Sequence, residues 1–162
     1  MAELKDIMAY LIQHYPERMR SELSNARLTK MVYLGDWHQA INHGRQISDI
    51  EWYFDNYGPF VSDVKEAADG HGGLFRIADE QNIYGQPKKV FSLKNWDYEP
   101  VLTEDERSSL DHIIRVTQKL YWNAFIKLVY ATHPVASSER YSFLDLVEKA
   151  KEYNRLRKGA CL

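Results

Sequence analysis

"ISDIEWYFDNYGPFVSDV", residues 47–64, sets five aromatic rings between Ile50 and Phe60 around an irregular dipeptide, Gly58-Pro59. From Ile50 the stretch alternates. Ile50, Trp52 and Phe54 point one way, and Glu51, Tyr53 and Asp55 the other, a period of two that predicts a half-buried strand or extended segment. Gly58 suits the backbone of a sharp turn, and the ring of Pro59 is preset for a first helical position. Val61, Val64 and Ala68 then make one stripe of a short helix ending at Gly70. An extended segment joined to a helix accounts for the break and for half of the rings. Tyr53, Tyr57 and Phe60 are left without a place in a core.

Working outward, residues 3–14 carry Leu4, Ile7, Met8, Leu11 and Ile12 at helical spacing, and Pro16 follows. A longer helix is predicted from Ser24, a good N-cap, to about Asn42, with Gly44 just beyond. Its wheel groups Leu28, Met31, Val32, Leu34, Gly35, His38 and Ile41 on one side, with Lys30, Tyr33 and Trp37 opposite. Such a helix lies between two layers or offers its aromatic side to a partner. Downstream of the "GHGG" turn at 70–73, the runs 74–78 and 88–94 predict a β-hairpin with a long loop. Thr103 and Glu106 form a capping box that opens a helix with Leu110, Ile113, Ile114 and Thr117 inward. Residues 120–131, "LYWNAFIKLVYA", are apolar round most of the wheel and predict a helix central to the core or covered by another chain. His133-Pro134 stops it. A last helix is predicted in 142–156, with Phe143, Leu146, Val147 and Ala150 inward, before the basic end "RLRK". The expected fold is mainly α (α+β): one domain over residues 1–162, a compact set of helices with a small β-hairpin and extended segment.

Composition narrows the function classes. A chain of 162 residues with 44% hydrophobic residues is long enough to bury a real core. A net charge of −2 from well-mixed charges argues against a dedicated nucleic-acid binder, as does the lack of two short helices joined by a tight turn. The small basic groups Lys88-Lys89 and Arg155, Arg157 and Lys158 do not make a stripe. The single cysteine, Cys161, excludes an internal disulfide and a cysteine-rich zinc site, and reads as an incidental thiol at a frayed end. The charged first segment is no signal peptide, and no apolar run reaches membrane-spanning length. A cytoplasmic protein with no membrane role is expected.

Chemistry finds little purchase. His38 and His43 stand about 140° apart on a helix and cannot share a metal from one face. There is no HExxH or CxxC, and "DGHGG" lacks the lysine and spacing of a phosphate loop. His38 reads as a hydrogen-bonded core residue. An enzyme working through Asp36, His38 and Asp63 needs those three side chains to converge in a polar cleft. No catalytic residue, metal or cofactor is expected. Interfaces, by contrast, favour the rings left over here, so Tyr33, Trp37, Tyr53, Tyr57 and Phe60, with Gly58 and Pro59 at the joint, are the candidate partner-binding residues.

The block 28–67, "LTKMVYLGDWHQAINHGRQISDIEWYFDNYGPFVSDVKEA", resembles the Panacea (SocA-like) antitoxin domain. That family reads as a helix like K-L-x-Y-L-A-D, then a glycine, then an aromatic extended run leading to Y-G-P and a helix. The counterparts are Lys30, Val32, Tyr33, Leu34 and Asp36, then Gly44, then Trp52, Tyr53 and Tyr57-Gly58-Pro59. "LTEDERSSLD" and "LVYATHPV" resemble the family's capped helix and its later L-x-x-x-(S/T)-H segment. The chain departs from the pattern after His133-Pro134, where Val135-Ala136-Ser137 stand in place of an expected tryptophan, and no added helix-turn-helix is visible. The resemblance implies an antitoxin that neutralises a cognate protein toxin by direct contact. It also implies an alternative, since a SocA-like member can present its toxin to an ATP-dependent protease. An inhibitor of host defence carried by a phage would read the same way in sequence.

Overall fold

Two helices near the start of the chain form the centre of this computed structural model, which describes residues 1–160; Cys161 lies outside the described residues. α1 is Leu4–His14, and α2 is Asn25–His43, joined by a short 3-10 turn at Glu17–Glu22. Ser24 caps α2 by accepting from the Arg27 amide, and Gly44 closes it with φ 72°, the left-handed angle a C-terminal glycine supplies. Helices α3 (Asp63–Gly70), α4 (Glu104–Thr117) and α7 (Leu146–Ala160) pack on α2, with α5 (Trp122–Tyr130) and the single turn α6 (His133–Ala136) beyond them. α2 is therefore covered on every side, and Tyr33 and Trp37 are buried with its other faces. The wheel had set these two rings outside the core. A helix enclosed by several neighbours has no second face, and periodicity alone does not reveal the neighbours.

Arg27, fully buried near the start of α2, ties it to two later elements. Its Nη2 donates to Tyr15 Oη (2.6 Å), Thr117 O (3.1 Å) and Leu120 O (2.7 Å). The cation sits on the carbonyl end of α4, where the helix dipole favours it, and stacks 4.4 Å over the Phe125 ring. α4 itself begins with the capping box expected at Thr103 and Glu106.

The sheets are small and antiparallel. β1 (Trp52–Asp55) turns through Asn56-Tyr57 into β2 (Gly58–Pro59), and β5 (Ser142–Leu144) pairs with the other side of β1, giving the order β2-β1-β5. β3 (Phe75–Gln81) and β4 (Pro87–Leu93) make the second hairpin. Its strands run on into what sequence reads as a long loop, because Asn82 closes a tight tip: its Oδ1 accepts from the Tyr84 and Gln86 amides.

Three sequence expectations are corrected here. Pro59 lies in a strand rather than at a helix start, since the hairpin bends the chain first and α3 begins only at Asp63. Phe143 belongs to β5 and points outward, because Asp145 caps the start of α7 and the helix begins only at Leu146. α5 is not central to the core, the first of its two expected places: it is a surface helix, burying only Phe125 and Val129 and leaving Tyr121 and Trp122 exposed. Its nine residues touch the body along one line, so their apolarity exceeds what the core takes.

Candidate functional site

Asp36 builds the site from behind. From the middle of α2 its carboxylate accepts the Ile47 amide (3.0 Å), the Ser48 amide (2.9 Å), Ser48 Oγ (2.5 Å) and Trp52 Nε1 (2.8 Å). Gln46 Nε2 adds a fifth donor at 3.4 Å. Complete burial pushes its pKa up to about 6, against the pull of these donors, so the group is a carboxylate at neutral pH. It thereby fixes the entry into β1 and sets Trp52 inward against Tyr33, edge to face at 5.5 Å.

With Trp52 and Phe54 facing in, the alternation turns Tyr53 and Asp55 outward. Across the sheet Tyr53 pairs with Phe143, rings at 5.1 Å in a T shape, and Phe143 is 71% exposed. At the hairpin tip Tyr57 is 80% exposed. Gly58 follows with φ 99°, an angle side chains rarely adopt, and a Cβ there would stand 3.4 Å from the Tyr130 ring. The far side of the tip is held by Arg140, whose Nε donates to Asn56 O (3.2 Å), and by the Tyr141 hydroxyl on Asn56 Oδ1. Tyr141 adopts φ 67°, a strained angle for a bulky residue, and its ring is largely exposed.

Of the sequence candidates, the hairpin thus collects Tyr53, Tyr57, Gly58, Pro59 and Phe60: Tyr57 exposed, Tyr53 and Phe60 half-buried, Gly58 and Pro59 buried as its frame. Tyr33 and Trp37 are not part of the surface. Tyr33 Oη is bonded to Thr132 Oγ1 (2.8 Å), and Trp37 packs between His133 and Tyr153. Sequence reading missed Tyr141 and Phe143. Their period-two spacing ahead of the Asp145 cap was the available signal.

The polar residues raised by the catalytic alternative are held apart. His38 Nδ1 is bonded to Ser109 Oγ (2.9 Å) and its ring stacks on His112 at 4.4 Å. Burial and the neighbouring cations lower its pKa to about 4. None of the described hydrogen bonds joins Asp36, His38 and Asp63. Among the described residues no three His, Cys, Asp or Glu are grouped to hold a metal, and no helix is long and apolar enough to cross a membrane. A groove of about 430 Å³ between Tyr10, His14, Trp96, Tyr98 and Arg107 shares no residue with the hairpin.

Comparison with known proteins finds one family, described as "Antitoxin SocA-like, Panacea domain", whose model matches residues 28–134. No curated protein and no solved structure matches. The matched span holds α2 from Leu28 on, the Asp36 anchor, the Tyr57-Gly58-Pro59 hairpin and the helices as far as His133-Pro134. The chain belongs to the SocA-like Panacea antitoxin domain family.

Proposed function

We propose that the protein is an antitoxin that neutralises a cognate protein toxin in the cytoplasm by binding it, without catalysis, and so blocks its active site or the approach of its substrate. The docking surface is the outer side of the β2-β1-β5 sheet: Tyr57 at the tip, Tyr53 with Phe143 across the strands, Tyr141 beside Asn56, and Phe60 at the hairpin's exit. The observation that carries this reading is the gathering of so many accessible rings on one small sheet of an antitoxin-family domain. Tyrosine and phenylalanine offer large contact area with few rotors to freeze, which suits interface anchors. A standard interface of roughly 1,600 Å² supports about nanomolar binding, on the order of −12 kcal/mol. Gly58 and Pro59 shape the hairpin, while Tyr33 supports it from the core through Trp52 and Trp37 packs away from it, between His133 and Tyr153.

Co-expression with the product of the neighbouring gene tests the proposal. Growth arrest by that product should be relieved by the wild-type chain. The Tyr57→Ala/Phe143→Ala double variant should still unfold cooperatively, only a few degrees below wild type, yet lose rescue and complex formation. A neighbour that is harmless alone, or that stays toxic and unbound beside excess antitoxin, sinks the reading. Rescue that disappears when an ATP-dependent protease is deleted would move the mechanism from occlusion to delivery.

A further inference from the structure

Beneath the same hairpin, Lys30 rises from α2 with 1% of its surface exposed. Among the described residues its Nζ has neither a hydrogen bond nor an ion pair. The sealed donors without partners are Arg27 Nε, Arg27 Nη1 and Gln39 Nε2; Lys30 Nζ is not one of them, so the little surface that Lys30 shows lies at its tip. Its Cε passes 3.6 Å from the place a Gly58 Cβ would fill, and its Nζ ends 5.7 Å from the centre of the half-buried Phe60 ring. Tyr130, also half-buried, closes the same spot from α5. Asp55 is the acid whose charge reaches Lys30, from beyond ion-pair range.

We infer that Lys30 is the floor of a receptor for a single acidic side chain, an aspartate or glutamate of the protein partner, inserted beside the Tyr57-Gly58 turn. This rests on the antitoxin reading for the partner's identity. A buried ammonium with no acid in ion-pair range is costly in the free protein, and a carboxylate brought to its tip between the half-buried Phe60 and Tyr130 rings removes that cost. One ammonium balances one carboxylate. Phosphate sites that use a lysine add forked arginines or runs of free backbone N–H beside it. Arg140, the arginine of this hairpin, is already occupied by Asn56 O and the Phe54 ring. Desolvation also lowers the pKa of Lys30 to about 8, so the group is still cationic at neutral pH.

The free protein decides the first half. In lysine side-chain NMR, with the Lys30 signal assigned by its loss in Lys30→Met, Lys30 should titrate below the other lysines. Sodium acetate should raise its midpoint relative to chloride at equal ionic strength, while the other lysines stay put. A midpoint among the other lysines, no response to acetate, or a response to phosphate alone overturns the inference. Lys30→Met should melt at or above the wild-type temperature, because an unpaired charge is replaced by a side chain of similar length; a lower melting temperature would mark Lys30 as a structural strut and overturn it. With the toxin found by co-expression, Lys30→Met should weaken the complex roughly 30-fold or more. Unchanged affinity also overturns the receptor. If wild type binds no toxin, the antitoxin reading falls while the NMR and melting results still decide Lys30.

Discussion

Asp36 shows how one side chain can place a surface it never reaches. Its oxygens collect the amides of Ile47 and Ser48, the Ser48 hydroxyl and the Trp52 indole. In Asp36→Asn an amide N–H₂ would face the indole N–H donor, leaving a buried pair of donors with no acceptor. Chemical denaturation should show a loss of about 3 kcal/mol, with red-shifted emission as Trp52 gains access to water. Asp36 was legible in the sequence as a member of the family-like helix, but its role was not, since its partners lie eleven to sixteen residues further on. Tyr33 and Trp37 illustrate the opposite limit: a wheel reports which residues share a side and says nothing about what covers it.

Elements with their own start and stop signals were legible. Ser24 and Gly44 bracket α2, and the Thr103–Glu106 box opens α4. Thr103→Ala should cost about 1 kcal/mol in a thermal or denaturant melt, since one end amide loses its acceptor. β5 was not legible, because a three-residue strand exists only through its partner. Its pairing is open to measurement: in a double-mutant cycle, Tyr53→Ala and Phe143→Ala should couple by roughly 0.5–1.5 kcal/mol, the contribution of an edge-to-face pair. Additive effects would place Phe143 elsewhere. The strained Tyr141 angle and the outward Phe143 were equally hidden, since both follow from how β5 meets β1.

At the scale of the molecule, the shifted groups set the pH profile of stability. Lys30 binds its proton at about 8 in the fold and at about 10.4 when unfolded, so the unfolded chain holds the extra proton between these values and stability rises with pH across that window. Above pH 10 the trend reverses, because Tyr10 and Tyr98 titrate only at about 12 in the fold and the unfolded chain ionises first. On the acid side His38, lowered to about 4, removes stability as pH falls through 6.5, while Asp36, raised to about 6, adds it over nearly the same range. His112, also lowered by burial, tips that balance toward loss. Unfolding free energy from denaturant melts should therefore peak near pH 9–10, gaining on the order of 2 kcal/mol from pH 8, and Lys30→Met should flatten the rise. One further consequence concerns timing. Tyr53 and Phe143 touch across the sheet although they stand ninety positions apart in the chain. A nascent or clipped polypeptide lacking the later strand thus owns only half of the aromatic surface, and the proposed docking face is complete only once that strand has paired.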